Sequence, residues 1–296
     1  MIAVIIPTLD EEEAIKEVIN GFPDIYRGFE VEKYVIDGGS CDRTVSIAKG
    51  AGAEVLHQKL DGGKGNGVRQ CMNEVDADIY VMIDGDGTYS PDEFSKIVDP
   101  VIDGEAEQVI GRRSRREEGS IPKLNLVGNK IFNLVTRLTT REKIHDMLSG
   151  YRSFSKESLK YTDMTRPGFG IETEMTFTAI ENNVPIKEVD IKYAEREGDS
   201  KLNPVSDGWR IFTTLIWSIR DMNPLKFFSS VSFFLMLLAV YPSYLTIEQR
   251  LRTGEITNIM PALTASVFLI LAVQLMIVGL ISDQIKNVEK RLRNQI

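Results

Sequence analysis

Two long stretches without a charged side chain constrain the fold of this 296-residue chain more than any other feature. Residues 227–247 and residues 256–282 contain no Asp, Glu, Lys or Arg and are rich in large apolar side chains. Each stretch exceeds the length of about 20 residues that an α-helix needs to cross a bilayer. A buried helical hairpin in a larger core is the alternative. Two such stretches at the end of a modest domain favour a pair of transmembrane helices, over about residues 225–247 and 258–282.

The cations beside these stretches predict their orientation. The polar turn between them, residues 248–255, contains Arg250 and Arg252 as its only cations. More cations lie before the first stretch and after the second: Arg210, Arg220, Lys226, Lys286, Lys290, Arg291 and Arg293. Because cytoplasmic flanks of transmembrane helices carry an excess of Lys and Arg, we expect both termini and the basic tail in the cytoplasm. The sequence therefore predicts a multi-pass protein of the cell membrane.

The part of the chain before these stretches has the pattern of an α/β domain. Apolar runs predict strands at residues 2–6, 32–37, 53–57, 79–83 and 106–111. Helical patterns lie between them, at residues 11–20, 43–51, 65–74 and 92–102. This alternation is typical of a fold with a mostly parallel central sheet.

Three segments follow from these patterns. Residues 1–204 form the α/β domain, and residues 224–296 form the membrane hairpin and its tail. Between them, residues 205–223 place apolar side chains at helical spacing, with charged side chains on the other side. This pattern predicts an amphipathic helix in the membrane interface, and a helix that packs on the core is the alternative.

Carboxylates follow two of the predicted strands. Asp37 ends one strand, and the segment 84–89 (DGDGTY) follows another. Asp84 and Asp86 are so close in sequence that their charges repel each other, whereas a divalent cation keeps both ionised. Mg²⁺ or Mn²⁺ suits such oxygen ligands and commonly binds one or two carboxylates together with substrate phosphates. A solvated acidic turn is the alternative, but the carboxyl ends of parallel strands meet in one crevice, which favours a binding site.

The net charge and the positions of His and Cys argue against nucleic-acid binding and against a zinc site. The formal net charge is −8 and the pI is about 5.1, which argues against nucleic acid as the main partner. His57 and His145 lie far apart with no pattern of zinc ligands, and Cys41 and Cys71 form no motif. We expect both cysteines to be reduced thiols in a cytoplasmic domain.

Short motifs follow one another in a fixed order along the chain. They are residues 5–11 (IIPTLDE), 35–40 (VIDGGS), 62–67 (GGKGNG), 84–89 (DGDGTY), 110–113 (IGRR), 144–152 (IHDMLSGYR), 168–175 (GFGIETEM) and 196–202 (REGDSKL). These motifs resemble those of family 2 glycosyltransferases of GT-A fold. The resemblance extends to the polyprenyl-phosphate sugar synthases, including dolichol-phosphate mannose synthases and archaeal enzymes that start N-glycan assembly.

The resemblance implies roles for individual residues. Asp84 and Asp86 are the implied metal ligands, and Thr88 stands where related synthases often have an amide ligand. The implied nucleotide-sugar site comprises Pro7, Leu9, Glu11, Asp37, Lys64, Asp84, Gly85, Asp86 and Arg112. The implied acceptor-phosphate site comprises Ser149, Arg152, Arg196, Ser200 and Lys201. The implied catalytic groups are Asp86, Arg112, Arg152, Arg196 and Lys201. For each of the basic residues, a surface cation is the alternative.

The resemblance implies an inverting transfer to a membrane lipid. A hexose or N-acetylhexosamine would pass from a UDP- or GDP-sugar to polyprenyl (dolichyl) phosphate at the cytoplasmic face, for protein N-glycosylation or another surface glycan. The acceptor phosphate is already anionic near neutral pH, so Asp146 and Glu174 are interpreted as groups that orient the sugar or arginines, not as a general base. The donor sugar, its base, the polyprenol and the oligomeric state stay open.

Two other functions are considered. A polysaccharide synthase would extend a sugar chain, but such enzymes typically have a Q-x-x-R-W string after the metal motif, which this chain lacks. A catalytically silent membrane scaffold could keep the same fold. The presence of Asp37, Asp84, Asp86 and the SKL string at residues 200–202 disfavours that interpretation.

Overall fold

The computed structural model describes residues 1–59, 63–116, 144–160, 171–194, 216, 220 and 223–293. The chain divides into two compact units, Met1–Thr214 and Leu215–Ile296. The segment 205–223, predicted to be an interfacial helix, lies almost wholly outside the described residues. Arg196, Ser200 and Lys201 lie outside them as well.

The first unit contains the elements of an α/β domain. Its strands are β1 (Ile2–Thr8), β2 (Ile25–Tyr26), β3 (Phe29–Asp37), β4 (Glu54–His57), β5 (Ile79–Met82), β6 (Gln108–Arg116), β7 (Arg152–Ser155) and β8 (Ile186–Tyr193). Its helices are α1 (Ile15–Asn20), α2 (Thr44–Gly50), α3 (Lys64–Glu74), α4 (Phe94–Ile102), α5 (Lys156–Leu159) and α6 (Ile171–Glu181), with a 3-10 turn at Pro91–Glu93. The five predicted strands and four predicted helices are present.

The sheet has a parallel core and a mixed edge. Its order is β2-β3-β1-β5-β7-β6-β8, and β4 also pairs with β3. Strands β4, β3, β1 and β5 run parallel to one another. Strand β7 runs antiparallel to both β5 and β6, and β8 is parallel to β6. The predicted mostly parallel sheet is confirmed for this core.

Helices cover both faces of the sheet. Along β1, Ile2, Val4 and Ile6 enter one apolar cluster, which also contains buried residues of α1 and α4. Ala3 and Ile5 point the other way, into a cluster with residues of α3 and α6. A parallel strand that is buried on both faces reads as a continuous apolar run, which is why β1 could be predicted from sequence.

Helix α1 begins later than predicted. The sequence predicted its start at residue 11, whereas the helix begins at Ile15. The backbone N–H groups of Glu11 and Glu12 donate instead to Thr44 Oγ1 (2.8 Å) and Asp42 Oδ2 (3.2 Å). The loop after β1 is therefore tied to the loop after β3 before the helix starts.

The second unit is a pair of long helices, α7 (Pro224–Thr253) and α8 (Met260–Arg293). By length and composition, both could span a membrane. Small residues lie where the helices meet, and Ser232 Oγ donates a hydrogen bond to the carbonyl of Ala272 (2.7 Å). Gly279 is needed there, because a Cβ at this position would lie 2.8 Å from Phe228 Cβ. Helix α7 runs past the predicted end near residue 247 and stops at Gly254, which has a left-handed φ of 75°.

The two-sided core of the first unit predicts that this unit folds without the membrane helices. A chain of residues 1–204 should be monodisperse in water and should unfold cooperatively on heating, because the apolar side chains of its described strands and helices form two buried clusters. Circular dichroism and a thermal melt would test this. Aggregation without a cooperative transition would show that the hairpin belongs to the core.

Candidate active site

Asp37 forms an anionic site at the end of β3. Its Oδ1 accepts a hydrogen bond from Ser40 N (3.0 Å), and its Oδ2 accepts one from Gly39 N (3.3 Å) and lies 3.3 Å from His57 Nδ1. Burial raises the pKa of Asp37, but the hydrogen bonds from Ser40, His57 and Gly39 outweigh burial and lower the pKa overall. The residue therefore presents a fixed carboxylate at the carboxyl end of a parallel strand.

The loop after β1 brings the other predicted nucleoside residues to the same edge. Thr8 and Asp37 are paired in register, and the carbonyl of Thr8 accepts a hydrogen bond from Gly38 N (2.9 Å). Leu9, which follows Thr8, exposes 47% of its surface, and Pro7 is partly exposed. Pro7, Leu9, Glu11 and Asp37 thus lie on adjacent strand ends. Their contact with a nucleoside stays a prediction.

The DGDGTY segment directly follows β5. Thr88 donates two hydrogen bonds to Asp86 Oδ1, from its hydroxyl (2.6 Å) and from its backbone N–H (3.1 Å). Thr88 is buried, so its hydroxyl orients Asp86 instead of standing apart as a third metal ligand. Gly85 leaves room for β1, because a Cβ there would lie 2.5 Å from Thr8 Cγ2.

Lys64 forms ion pairs with two acids, Asp84 and Glu172. It is the first residue of α3 and follows Gly63, whose φ is 107°. Its Nζ contacts Asp84 Oδ1 and lies 2.5 Å from Glu172 Oε1. Burial alone would lower the pKa of Lys64. The charges of Asp84 and Glu172 have the larger and opposite effect, so the pKa of Lys64 is raised overall. The ammonium group is therefore stable between the two acids.

The two acids respond differently to this environment. Burial raises the pKa of Asp84, and the opposing effect of Lys64 is too small to reverse it. Burial also acts to raise the pKa of Glu172, but Lys64 and Arg152 together lower it below its ordinary value. The sequence motif contained Glu172 without assigning it a role. Its pairing with Lys64 joins residues 108 positions apart in sequence, so no local pattern could show it.

Arg152, a predicted contact of the acceptor phosphate, is buried among protein oxygens. Its side chain is 1% exposed, and its guanidinium donates to the carbonyls of Ser149 (2.7 Å), Met147 (3.1 Å) and Glu172 (2.9 Å). Its donors are directed to protein oxygens, and its contact with the acceptor phosphate stays a prediction. Arg152 positions the loop before β7 and the start of α6. Ser149 is also fully buried beside it.

Arg112 and Arg113, two neighbouring arginines on β6, differ in their exposure and in their ion-pair partners. Arg112, the predicted site residue, is partly exposed and forms an ion pair with Asp190 (Nε to Oδ1, 2.5 Å). Arg113 is nearly buried and donates to Asp146 from Nε (2.8 Å) and Nη2 (2.6 Å). Its guanidinium carbon lies 5.3 Å from the centre of the Tyr193 ring. Asp146 therefore orients an arginine, as predicted, and this arginine is Arg113.

A close approach of backbone and carboxylate completes the cluster. The N–H of Gly150 donates to the hydroxyl of Tyr89 (2.8 Å), and this turn lies directly against the Asp84 carboxylate. A Cβ at position 150 would overlap the Asp84 carboxylate oxygens. The position therefore accepts only glycine without displacing Asp84.

The carboxylates fit a divalent cation that also binds a diphosphate. Asp84 and Asp86 are hard oxygen donors, and Mg²⁺ or Mn²⁺ needs only one or two of them when phosphates and waters supply the rest. Within the described residues, no group of three or more His, Cys, Asp or Glu could hold a metal ion without such a partner. The donor set is thus one for a cation shared with substrate.

Comparison with known proteins shows the family. Residues 3–162 match glycosyl transferase family 2, and residues 223–288 match the GtrB C-terminal hairpin. The chain belongs to glycosyltransferase family 2. Glycosyltransferase AglJ of Haloferax volcanii is 34% identical over 303 residues, covering 100% of this chain and 97% of that protein. The dolichyl-phosphate hexose transferase of the same organism is 31% identical over 215 residues, covering 73% of this chain and 92% of that protein.

Solved structures confirm the GT-A fold. Glucosyl-3-phosphoglycerate synthase from Mycobacterium tuberculosis, in complex with Mn²⁺, uridine-diphosphate and glucosyl-3-phosphoglycerate, superimposes with a TM-score of 0.60. The match has 22% sequence identity and covers 73% of this chain and 77% of that chain. The predicted family, fold and enzyme class are therefore confirmed. The roles of individual site residues stay predictions.

Substitution of Gly150 tests the close approach to Asp84. Gly150→Ala should lower the rate of sugar transfer by about 100-fold, because displacement of a catalytic group by about 1 Å can have this effect. Gly50→Ala is the control, since a Cβ there meets nothing within 4 Å. Turnover and melting temperature should be measured for both. Unchanged turnover of Gly150→Ala would show that Asp84 need not stay in place.

Substitution of Arg152 tests its positioning role. Arg152→Met removes the hydrogen bonds of a buried guanidinium to the carbonyls of Ser149, Met147 and Glu172. The free energy of unfolding should fall by about 3 kcal/mol or more, since each hydrogen bond to a charged group contributes about 1.5–3 kcal/mol. Arg112→Met, at a partly exposed ion pair, should cost less than about 1 kcal/mol. Thermal unfolding of both variants in detergent gives the comparison. A stable Arg152→Met protein with weakened binding of the lipid phosphate would support the predicted phosphate contact instead.

Proposed function

We propose that this glycosyltransferase transfers a sugar from a UDP- or GDP-sugar to polyprenyl phosphate, with dolichyl phosphate as the class of acceptor. The observation that carries the proposal is the combination of two features in one chain. Asp37, Asp84 and Asp86 lie at the carboxyl ends of parallel strands, and the helices α7 and α8 are long enough to span a membrane. The relatives include a dolichyl-phosphate hexose transferase, which supports dolichyl phosphate as the acceptor. In this proposal the transferred sugar is a hexose or an N-acetylhexosamine.

The donor site is assigned to the edge formed by β1, β3 and β5. Asp37 is placed to accept hydrogen bonds from a ribose or a base, as strand-end carboxylates do in other nucleotide-binding sheets. Asp84 and Asp86 would hold Mg²⁺ or Mn²⁺, which when bound supplies charge for the departing diphosphate. Lys64 adds a positive charge at the first turn of α3, where anions are favoured.

The acceptor chemistry needs no strong general base. A phosphate monoester has a second pKa of about 6, so its oxygen is a ready nucleophile near neutral pH. Attack from the side opposite the leaving group inverts the anomeric centre. This agrees with the pairing of Asp146 with Arg113 and of Glu172 with Lys64, in which both acids serve cations. Arg196, Ser200 and Lys201 remain our candidates for binding the acceptor phosphate.

The proposal includes a membrane topology. Residues 205–223 would lie in the interface, and the excess of Lys and Arg outside the hairpin would keep the catalytic domain and both termini in the cytoplasm. In this arrangement the phosphate head of the lipid and the nucleotide-sugar meet on the same side.

The decisive experiment is a transfer assay with membranes that contain the protein. A panel of labelled UDP- and GDP-sugars is combined with dolichyl or undecaprenyl phosphate, and lipid products are separated by thin-layer chromatography. We expect one labelled lipid monosaccharide whose formation EDTA abolishes. Label in a long polymer would support a polysaccharide synthase. No transfer from any donor would support a silent scaffold.

Asp86 should be essential for transfer. Asp86→Ala removes a metal carboxylate and should lower the rate by about 100-fold or more without a large change in melting temperature. Asp76→Ala is the matched control, because Asp76 is exposed in the loop before β5 and pairs with Lys156. Near-normal, EDTA-sensitive turnover of Asp86→Ala would refute the assignment of this residue to the metal.

A further inference from the structure

Lys64 and Glu172 form an ion pair beside the predicted metal ligand Asp84, and the function proposed above uses this pair only for the positive charge of Lys64. Glu172 lies in the first turn of α6, and its side chain is 13% exposed. Its position is fixed, because its carbonyl accepts a hydrogen bond from Arg152 Nη1 (2.9 Å) and the preceding Ile171 is buried. Lys64, in contrast, reaches both acids at the end of a flexible chain of four methylenes. The cluster therefore combines a fixed acceptor with a movable donor.

The charges of the cluster are unequal. Asp84, Asp86 and Glu172 are three acids, and Lys64 contacts two of them. The other nearby cation is Arg152, which together with Lys64 lowers the pKa of Glu172, so the acids still outnumber the cations. A divalent cation at Asp84 and Asp86 would repel an ammonium group that stayed on Asp84 Oδ1. The repulsion falls if Lys64 gives up Asp84 and keeps Glu172, which already accepts its hydrogen bond. No large movement of backbone is required.

We propose that Lys64 is the resident counter-ion of Asp84 in the metal-free protein, and that Glu172 holds Lys64 aside when a divalent cation binds. Both are positioning residues for metal loading, and the inference rests on the metal site of the proposed function. It predicts opposite effects of the two residues on the affinity for a cation. Lys64 competes with the cation, whereas Glu172 weakens that competition.

The test measures Mn²⁺ binding directly, without turnover. The full chain in detergent is titrated with Mn²⁺, and free Mn²⁺ is followed by electron paramagnetic resonance, in the absence of nucleotide and with UDP or GDP. The variants are Lys64→Ala, Glu172→Gln and the double variant. Lys59→Ala and Glu74→Gln are matched controls, because this exposed pair (2.7 Å) also involves α3 and does not contact Asp84. Melting temperatures confirm that each variant is folded.

We expect Lys64→Ala to bind Mn²⁺ about tenfold more tightly and Glu172→Gln about tenfold more weakly, as expected for removal of one nearby charge. In the Lys64→Ala background, Glu172→Gln should change the Kd by less than about threefold, because Glu172 acts through Lys64. The controls should stay within about twofold of wild type, since they lie outside the cluster.

Three results would overturn the inference. Weaker Mn²⁺ binding by Lys64→Ala would show that Lys64 supports the cation site instead of competing for it, and this arm stands even if Glu172→Gln fails to fold. An equal effect of Glu172→Gln with and without Lys64 would show that Glu172 acts through its charge alone. Wild type that binds Mn²⁺ while no variant shifts the Kd would refute this inference and leave the proposed function intact.

A fourth result concerns the proposed function. Wild type that binds no Mn²⁺ with or without nucleotide would refute the metal site itself, and with it this inference.

Discussion

The antiparallel pairing of β7 with β5 is the constraint on which the site depends. Strand β5 runs parallel to β1 on one side and antiparallel to β7 on the other, with Met82 opposite Arg152. The carboxyl end of β5 therefore meets the beginning of β7. This reversal brings Gly150 against the Asp84 carboxylate. A β7 strand in the parallel sense would place the same loop at the opposite edge of the sheet.

Buried ion pairs and hydrogen bonds connect segments that are not paired with each other in the sheet. Arg113 joins β6 to the loop at Asp146, and Arg152 joins β7 to the start of α6. Such pairs lose hydration when buried, and they contribute little net stability compared with apolar packing. Removing one partner is nevertheless costly, because the other is left unpaired. The network is thus better suited to fixing one geometry than to raising overall stability.

The sequence was informative where structure depends on local pattern. Strand β1 is a continuous apolar run, and the segment at Asp84 follows such a run, so both could be predicted. Strand β7 was not predicted, since its sequence RSFS begins with an arginine that is buried only because carbonyls from three other positions surround it. The different surroundings of Arg112 and Arg113 were not predicted, for a related reason. Neighbouring residues of a strand point to opposite faces, and only the placement of Asp146 decides which face is the inner one.

The two units contribute to the proposed reaction in different ways. The described acids and cations of the candidate site lie in the first unit, whereas α7 and α8 expose apolar side chains and meet along small residues. Glycosyl transfer to a lipid joins two anionic reactants, of which one diffuses in water and the other in a membrane. A cationic site can offset their repulsion, but it cannot raise the concentration of a lipid that is absent from water. We therefore assign the offset of charge to the divalent cation that Asp84 and Asp86 would hold, together with Lys64. We assign the local concentration of acceptor to the hairpin, since tethering raises effective concentration without any new contact.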